Sequence, residues 1–574
     1  MAAALRPVST PWGAGADRPI ALLLAALLLV PLLWAAASAV SAGLQPRVWA
    51  ELGAQPRLAR ALALSLFTGL ASTLLSVAIA AALLGCAFAS RPWPLLNRVL
   101  APMLAMPHAA FAIGLAFLVA PSGWILRALS PWATGFEAPP PWITTQDPWG
   151  LALVAALVGK ELPFLLWVGA TQLQRADVGA RWAAELQLAR TLGYSRAAAW
   201  WRVVWPQLWP RLGAPLAAVL AYSLTVVDMA LVIGPAAPPT AALLAWEWLL
   251  DADPQANARG AALAWLLALV VAALGASAWA LRSRLVRRGR WVRGSRGRAD
   301  PPGWTGWLPV GALALLYAAV LLALAVGSVA GVWAFPALWP QNLSFSGWRS
   351  VASSAHTLWT SLSLATASAA CALAWAVAWL ETAPPAWDRP LRRLVFLPLL
   401  LPSIVWVIGV HRLALAWELD ARWSGLWLAH TLAALPYALI ALSPSYLGFD
   451  ARYGQLAASL GHGRVAFLLR IKWPLLRAGL AGAFAVAFAV SIAQYLPTLF
   501  VGAGRFATVT TEAVGLASGG QRSLLAAYAW LQWLLPALVF ALAAWAGRAR
   551  RVGVSPGAAP ATRGAAMRST EAVR

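Results

Sequence analysis

Apolar residues in this chain neither alternate with polar ones at the two-residue period of a strand nor keep to one stripe of a helix. They run on continuously between short polar segments. About 20 apolar residues rising 1.5 Å each cross a hydrocarbon core about 30 Å thick. Runs of that kind occupy 19–42, 60–89, 99–120, 149–173, 212–235, 257–281, 308–334, 356–380, 394–415, 424–447, 478–500 and 523–547. The pattern predicts an all-α polytopic membrane protein of about 12 transmembrane helices. The first run is longer than a signal-peptide core and lacks a small-residue cleavage site followed by a soluble domain, so it is expected to stay as an anchor.

Composition narrows the class. Of 574 residues, 61% are hydrophobic and 11% charged, against about 25% charged in an ordinary soluble protein. A soluble enzyme, a disordered tail protein and a disulfide scaffold are excluded. Cys86 and Cys371 both fall inside apolar runs and read as small core residues, and no Cys/His cluster has metal-ligand spacing.

The net charge of +24 is compatible with nucleic acid, anionic lipid or membrane topology until position decides. With twelve spans both termini share a side, and placing that side in the cytoplasm puts 32 Lys and Arg inside and 10 outside. That asymmetry is the positive-inside pattern for both termini cytoplasmic. The excess of charge lies on one face, so no nucleic-acid partner is expected; the lipid bilayer is.

The two halves repeat. Residues 1–281 and 308–547 are joined by the basic, Gly- and Pro-rich segment 282–307, expected to be a cytoplasmic linker, and 548–574 form a cytoplasmic tail. In ELQLARTLGYSRAAAWWRVVWPQL and YGQLAASLGHGRVAFLLRIKWPLL, Gln187, Ala189, Gly193 and Pro206 pair with Gln455, Ala457, Gly461 and Pro474 at an offset of 268. Ser223 pairs with Ser491, Gly234 with Gly502 and Thr240 with Thr508 in the same register. Upstream, Ser65 pairs with Ser361 and Pro107 with Pro402, so the first half carries about 27 extra residues in an external loop after its third span. Two copies of six spans share one orientation and form a parallel repeat about the membrane normal, with a path expected on that axis.

Between the fourth and fifth spans of each half lies a cytoplasmic segment, 181–211 and 449–477. It reads as a short helix, a left-handed stop at Gly193 or Gly461, then a second helix running into Trp-Pro, where the chain is expected to re-enter the bilayer sharply. The small residues Ala183, Ala184, Ala189, Ala457 and Ala458 suit close docking of another protein, with nearby arginines able to contact it or lipid phosphates.

The spacing Gln-Leu-Ala, three residues, Gly, nine residues, Val or Ile, one residue, Trp-Pro resembles the EAA loop of the membrane permeases of bacterial ABC importers. Stretches such as PHAAFAIGLAFLVAPSGWILR, GKELPFLLW, SLTVVDMALVIGPAAPPT and SIAQYLPTLFVGAGRFATVTTEAVGLASGG are similar to the fused double permeases of the iron(III) and thiamine importer group, the Ynj-type permeases above all. The resemblance covers most of residues 60–547. It implies the type I importer permease fold in the cell inner membrane. It also implies a cytoplasmic ABC ATPase, expected as a homodimer, docking at Gln187, Ala189, Gly193, Pro206, Gln455, Ala457, Gly461 and Pro474, and a periplasmic or extracellular solute-binding protein. The chain departs from the motif in having Gln where the family usually has Glu, which removes an ion pair to the ATPase. Neither of its two lysines, Lys160 and Lys472, stands in a phosphate-cradling G-x-x-x-x-G-K-[ST] loop. No cofactor is therefore expected on this chain, and ATP-Mg belongs to the partner ATPase.

Charges at mid-span cost about 2.5–3.5 kcal/mol on insertion scales and face a bundle interior. Lys160 and Glu161 in the fourth span and Asp228 in the fifth are therefore candidates for the translocation path, with a Lys160–Asp228 salt bridge as the structural alternative. The repeat sets Leu496 opposite Asp228, beside Gln494 and Tyr495, so the path is expected to be chemically lopsided. His108, His356 and His411 read as satisfied polar residues. The competing class is an ion-coupled secondary transporter of the twelve-helix type, which has no use for paired docking segments.

Overall fold

The computed structural model describes residues 17–175, 178–287, 307–519 and 521–548. The tail from 549 and the linker residues 288–306 lie outside the described residues. The described residues form helices and no strand. Nine helices among them are long and apolar enough to cross a membrane: Asp17–Gly43, Leu58–Ala87, His108–Leu129, Leu151–Leu173, Pro254–Arg284, Trp307–Val329, Ala355–Thr382, Trp423–Leu447 and Arg522–Gly547. A tenth is counted if Arg464–Leu475 and Arg477–Ile492, bent by 76°, make one span.

The expectation of twelve continuous spans is corrected at the third and fifth positions of each half. The run 99–120 divides into Trp93–Leu104 and His108–Val119, with Pro107 extended at ψ 154° before the second piece. The run 394–415 divides into Pro385–Val395, Leu397–Leu400 and Ser403–Ala416, with Pro402 extended at ψ 134°. The run 212–235 divides into Gly213–Thr225 and Asp228–Ile233 after the β-branched series Thr225, Val226, Val227. The run 478–500 divides into Arg477–Ile492 and Leu496–Gly502, whose first turn holds Pro497. Hydropathy counts apolar side chains and is blind to these backbone choices. Irregular backbone at membrane depth is tolerated only inside protein or beside a water-filled cavity; Pro107, Val226, Val227, Pro402 and Tyr495 are all buried.

The leading span of each half packs on the other half. Helix Asp17–Gly43 lies along Ser403–Ala416 and Ala355–Thr382, sharing a core of Leu28, Leu32, Trp406 and Val410. Helix Trp307–Val329 lies along His108–Val119 and Arg522–Gly547, and Tyr317 donates to the Gly159 carbonyl at 3.0 Å. The repeat-related glycines 114 and 409 receive these crossings. A Cβ on Gly409 would stand 2.1 Å from the Ala35 carbonyl oxygen, and one on Gly114 2.6 Å from Val320 Cγ1. Small residues at such crossings let backbones approach, because lipid supplies no hydrophobic drive between helices.

Other paired residues acquire a physical meaning. Thr240 and Thr508 cap the helices Ala241–Leu249 and Val509–Leu516. The first N–H of each helix is taken by a serine on the second span of its own half: Ala241 donates to Ser65 Oγ and Val509 to Ser361 Oγ, both at 2.9 Å. Each half thus satisfies the orphan donors of a helix start in the same way. Arg127 joins the first-half insert to the second half, donating to the carbonyls of Ser122, Trp333, Ala334 and Ala337 at 2.7–3.0 Å. Cys86, read from sequence as a core residue, is exposed; Cys371 is partly buried, and both are free thiols.

Candidate coupling segments and intramembrane path

The two repeated segments, 181–211 and 449–477, fold alike. Helices Gly179–Thr191 and Arg452–Ser459 end where Gly193 at φ 86° and Gly461 at φ 76° turn left-handed. Gly193 N–H donates to the Arg190 carbonyl and Tyr194 N–H to that of Ala189; Gly461 and His462 repeat the pair on Ala458 and Ala457. This double bond closes both helices with the Schellman motif, which needs φ above zero and so needs glycine.

Beyond the stop, each second helix widens into a π turn, Trp200–Val204 and Leu468–Lys472. The N–H groups of Trp205 and Trp473 reach back five residues, to Trp200 and Leu468. Pro206 and Pro474 explain it: each lacks an N–H, and its ring would strike the carbonyl four residues back in a regular helix. The expected sharp re-entry at Trp-Pro is displaced. The chain stays helical through the proline, and in the second half it bends at Leu476.

Burial sorts the motif residues. Gln187 and Gln455 are exposed with Gly193 and Gly461, while Ala189 and Ala457 are buried against the protein itself. Ala183 and Ala458 are partly buried and Ala184 is exposed, so only part of the small-residue set packs inward. The outward face carries leucines one turn apart that the sequence reading missed: Leu188 and Leu192 at 62% and 59% exposure, and Leu456 and Leu460 at 58% and 66%.

The segments are anchored differently. Arg196 donates to the carbonyls of Gly85 and Cys86 at 3.2 and 3.3 Å, and to that of Phe88, covering orphan acceptors at the end of Leu58–Ala87. Its repeat partner Arg464 donates to the Glu381 carbonyl at 3.1 Å, at the end of Ala355–Thr382, and also pairs with Asp17. Glu381 further takes Lys472 at 2.6 Å and the Tyr446 hydroxyl at 2.8 Å. In the first half the matching ties are lighter: Trp182 donates to Gln207 at 2.9 Å, and Gln207 to Glu185 at 2.7 Å.

Within the membrane the broken spans bring most of the candidate path residues together. Glu161 pairs with His108 at 3.4 Å, and the His108 ring lies 4.4 Å from that of Tyr222. Tyr222 donates to Asp228 at 3.2 Å, and Asp228 heads the second piece of its span. From the second half, Tyr437 lies within electrostatic reach of Glu161, and Tyr495 within reach of Asp228. Tyr437 is 39% exposed. Lys160 does not make the alternative bond to Asp228; it donates to the Met103 carbonyl at 3.3 Å, at the end of the first piece of the broken third span. Gln494 stands half-buried at the second-half break. His108, Tyr222 and Tyr437 are the members missed in the sequence, although His108 following Pro107 at a helix start is a legible signal.

No protein-family model matches the chain. It is 34% identical over 538 residues to the inner membrane ABC transporter permease protein YnjC of Escherichia coli (strain K12), covering 92% of this chain and 96% of that one. The thiamine transport system permease proteins ThiP of Brucella suis and Brucella abortus are 30% and 29% identical over 229 residues, 36% of this chain and 40% of theirs. A two-fold repeated segment, broken intramembrane helices and similarity along nearly the whole length agree: the chain belongs to the family of inner membrane ABC transporter permeases, multi-pass proteins that serve ABC importers together with ATPase and substrate-binding partners.

Proposed function

We propose that residues 181–211 and 449–477 are the sites at which two copies of one ATPase dock, and that their movement opens and closes a path between the halves. The observation that carries this is the repeated exposed helix, left-handed glycine and π turn leading into a broken span on each side. An exposed leucine pair on each helix supplies the apolar anchor, and Gln187 and Gln455 offer hydrogen bonds where an ion pair is absent. ATP-Mg is held by the partner, both termini face the cytoplasm, and this chain supplies the path.

His108, Glu161, Tyr222 and Asp228, facing Tyr437 and Tyr495, form the polar part of that path. Two carboxylates with aromatic faces favour a cationic solute. The thiamine permeases among the relatives accord with that chemistry, and so a thiamine-like cation is the first candidate.

Co-purification tests the docking. Replacing Leu188, Leu192, Leu456 and Leu460 by Ser is expected to lower ATPase recovery at least tenfold while the permease stays in the membrane; unchanged recovery contradicts it. The solute class is tested by thermal shift of the solute-binding partner against thiamine, ferric complexes, polyamines and phosphonates. Uptake by proteoliposomes holding this chain alone and an ion gradient would favour a secondary transporter instead.

A further inference from the structure

His430 lies mid-span in Trp423–Leu447, 1% exposed, and bridges two points of the fifth span. Its Nδ1 is 2.8 Å from Ser491 Oγ, before the break, and its Nε2 2.9 Å from Thr498 Oγ1, beyond it. Thr498 gives its own proton to the Gln494 carbonyl at 2.8 Å, the acceptor that the break exposes. Nε2 therefore donates to Thr498, and in the neutral ring Nδ1 accepts from Ser491. One imidazole thus ties both pieces of the broken helix to the fourth span and fixes the backbone at Gln494.

The first half crosses its break differently: Tyr222 on one piece of the fifth span donates to Asp228 on the other at 3.2 Å, and the described residues show no matching bond to the fourth span. Aligning Leu162-Pro163 with Leu435-Pro436 sets Leu157 opposite His430, and the 268-residue register sets Ser223 opposite Ser491 and Ala230 opposite Thr498. Leu157 and Ala230 have no group to bridge the break. Ser223 keeps the hydroxyl, 2% exposed and without a hydrogen-bond partner among the described residues. A buried polar group left unpaired is a cost that a fixed element does not usually carry.

We propose that His430 is a positioning residue that locks the broken fifth span of the second half to its fourth span, so that the change of access is carried by the fifth span of the first half, which its fourth span does not hold. The second half then presents Gln494 and Tyr495 as a fixed wall, and Asp228 travels on the mobile one. Interhelical hydrogen bonds in membranes are individually modest, but two on one ring, plus the Thr498–Gln494 bond, act on a segment of a few residues.

The proposal rests on the permease reading, whose failure would appear separately as loss of ATPase assembly. The test uses the full complex in nanodiscs and amide hydrogen exchange, nucleotide-free and trapped with ATP and vanadate. Exchange in 224–234 is expected to change at least tenfold between the two states, and in 493–502 less than twofold. His430→Leu is expected to raise exchange in 493–502 about tenfold. Leu157→His, which offers Ser223 a partner, is expected to suppress the change in 224–234, and adding Ser223→Ala to Leu157→His to restore it. A general folding defect would not be relieved by removing one hydroxyl. Equal changes in the two wild-type segments, or unaltered exchange in 493–502 of His430→Leu, would overturn the proposal; both readouts hold even if Leu157→His fails to fold.

Discussion

The two halves share their backbone devices and differ in what hangs on them. Both close the exposed helix of the repeated segment with a left-handed glycine, widen the next helix ahead of a proline, break the third and fifth spans, and satisfy the start of a short helix with a serine from the second span. Only the first half places His108, Lys160, Glu161 and Asp228 at mid-span, where the second has Ser403, Ala433, Ala434 and Leu496. The second half instead carries an ion-pair anchor in which Glu381, Arg464, Lys472 and Asp17 meet. A duplicated frame thus bears different side chains: one copy has the carboxylates at mid-span, the other the His430 tie across its broken fifth span.

That contrast can be broken at several points. The largest effect is expected from Gly193→Pro combined with Gly461→Pro. Proline cannot adopt the φ of 86° or 76° found there, so ATP-driven uptake is abolished and ATPase recovery falls at least tenfold, with the chain still in the membrane fraction. Either single substitution, leaving one segment intact, is expected to retain some recovery.

Next in size is the difference between the anchors. Glu381→Gln removes one partner of a largely buried pair and leaves Lys472 without its carboxylate, a loss of about 3 kcal/mol. Glu185→Gln touches a pair with Arg181 that is a third to more than half exposed, and costs at most about 1 kcal/mol. Thermal unfolding of the solubilised chain checks the order, with the lower midpoint expected for Glu381→Gln.

The smallest effects concern what the halves share. Ser65→Ala and Ser361→Ala each strand one helix-start N–H and are expected to cost about 1 kcal/mol. Their equality is the point. Unfolding midpoints differing by more than the error would show that the shared frame is not shared in energy.

How much of this the sequence disclosed follows from what each signal measures. Continuous apolar runs and the charge asymmetry gave the all-α membrane class, since both are sums over many residues. The stop at Gly193 and Gly461 was legible because a left-handed residue selects glycine. The third-span breaks had a legible mark in Pro107 and Pro402, expected to kink their helices; the fifth-span breaks did not, because Thr225-Val226-Val227 and Ala493-Gln494-Tyr495 hold neither Gly nor Pro and only the fold decides that they unwind. Ala189 and Ala457 were read as docking residues because smallness was taken to suit a partner; the helix turns that face inward. For Lys160 a salt bridge to Asp228 stood as the alternative, but the end of a broken helix supplies a carbonyl instead. The exchange of leading spans left a trace in the repeat-related Gly114 and Gly409, which explains itself only once the crossing helix is in place.

The most direct test of the difference between the halves is ATP-driven uptake into proteoliposomes carrying the full complex, using the solute identified through its binding protein, with Asp228→Asn compared with Leu496→Asn. The account predicts at least a tenfold loss of uptake in Asp228→Asn with ATP hydrolysis retained, and less than a twofold change in Leu496→Asn. Equal uptake in the two variants, whether both intact or both lost, would contradict it.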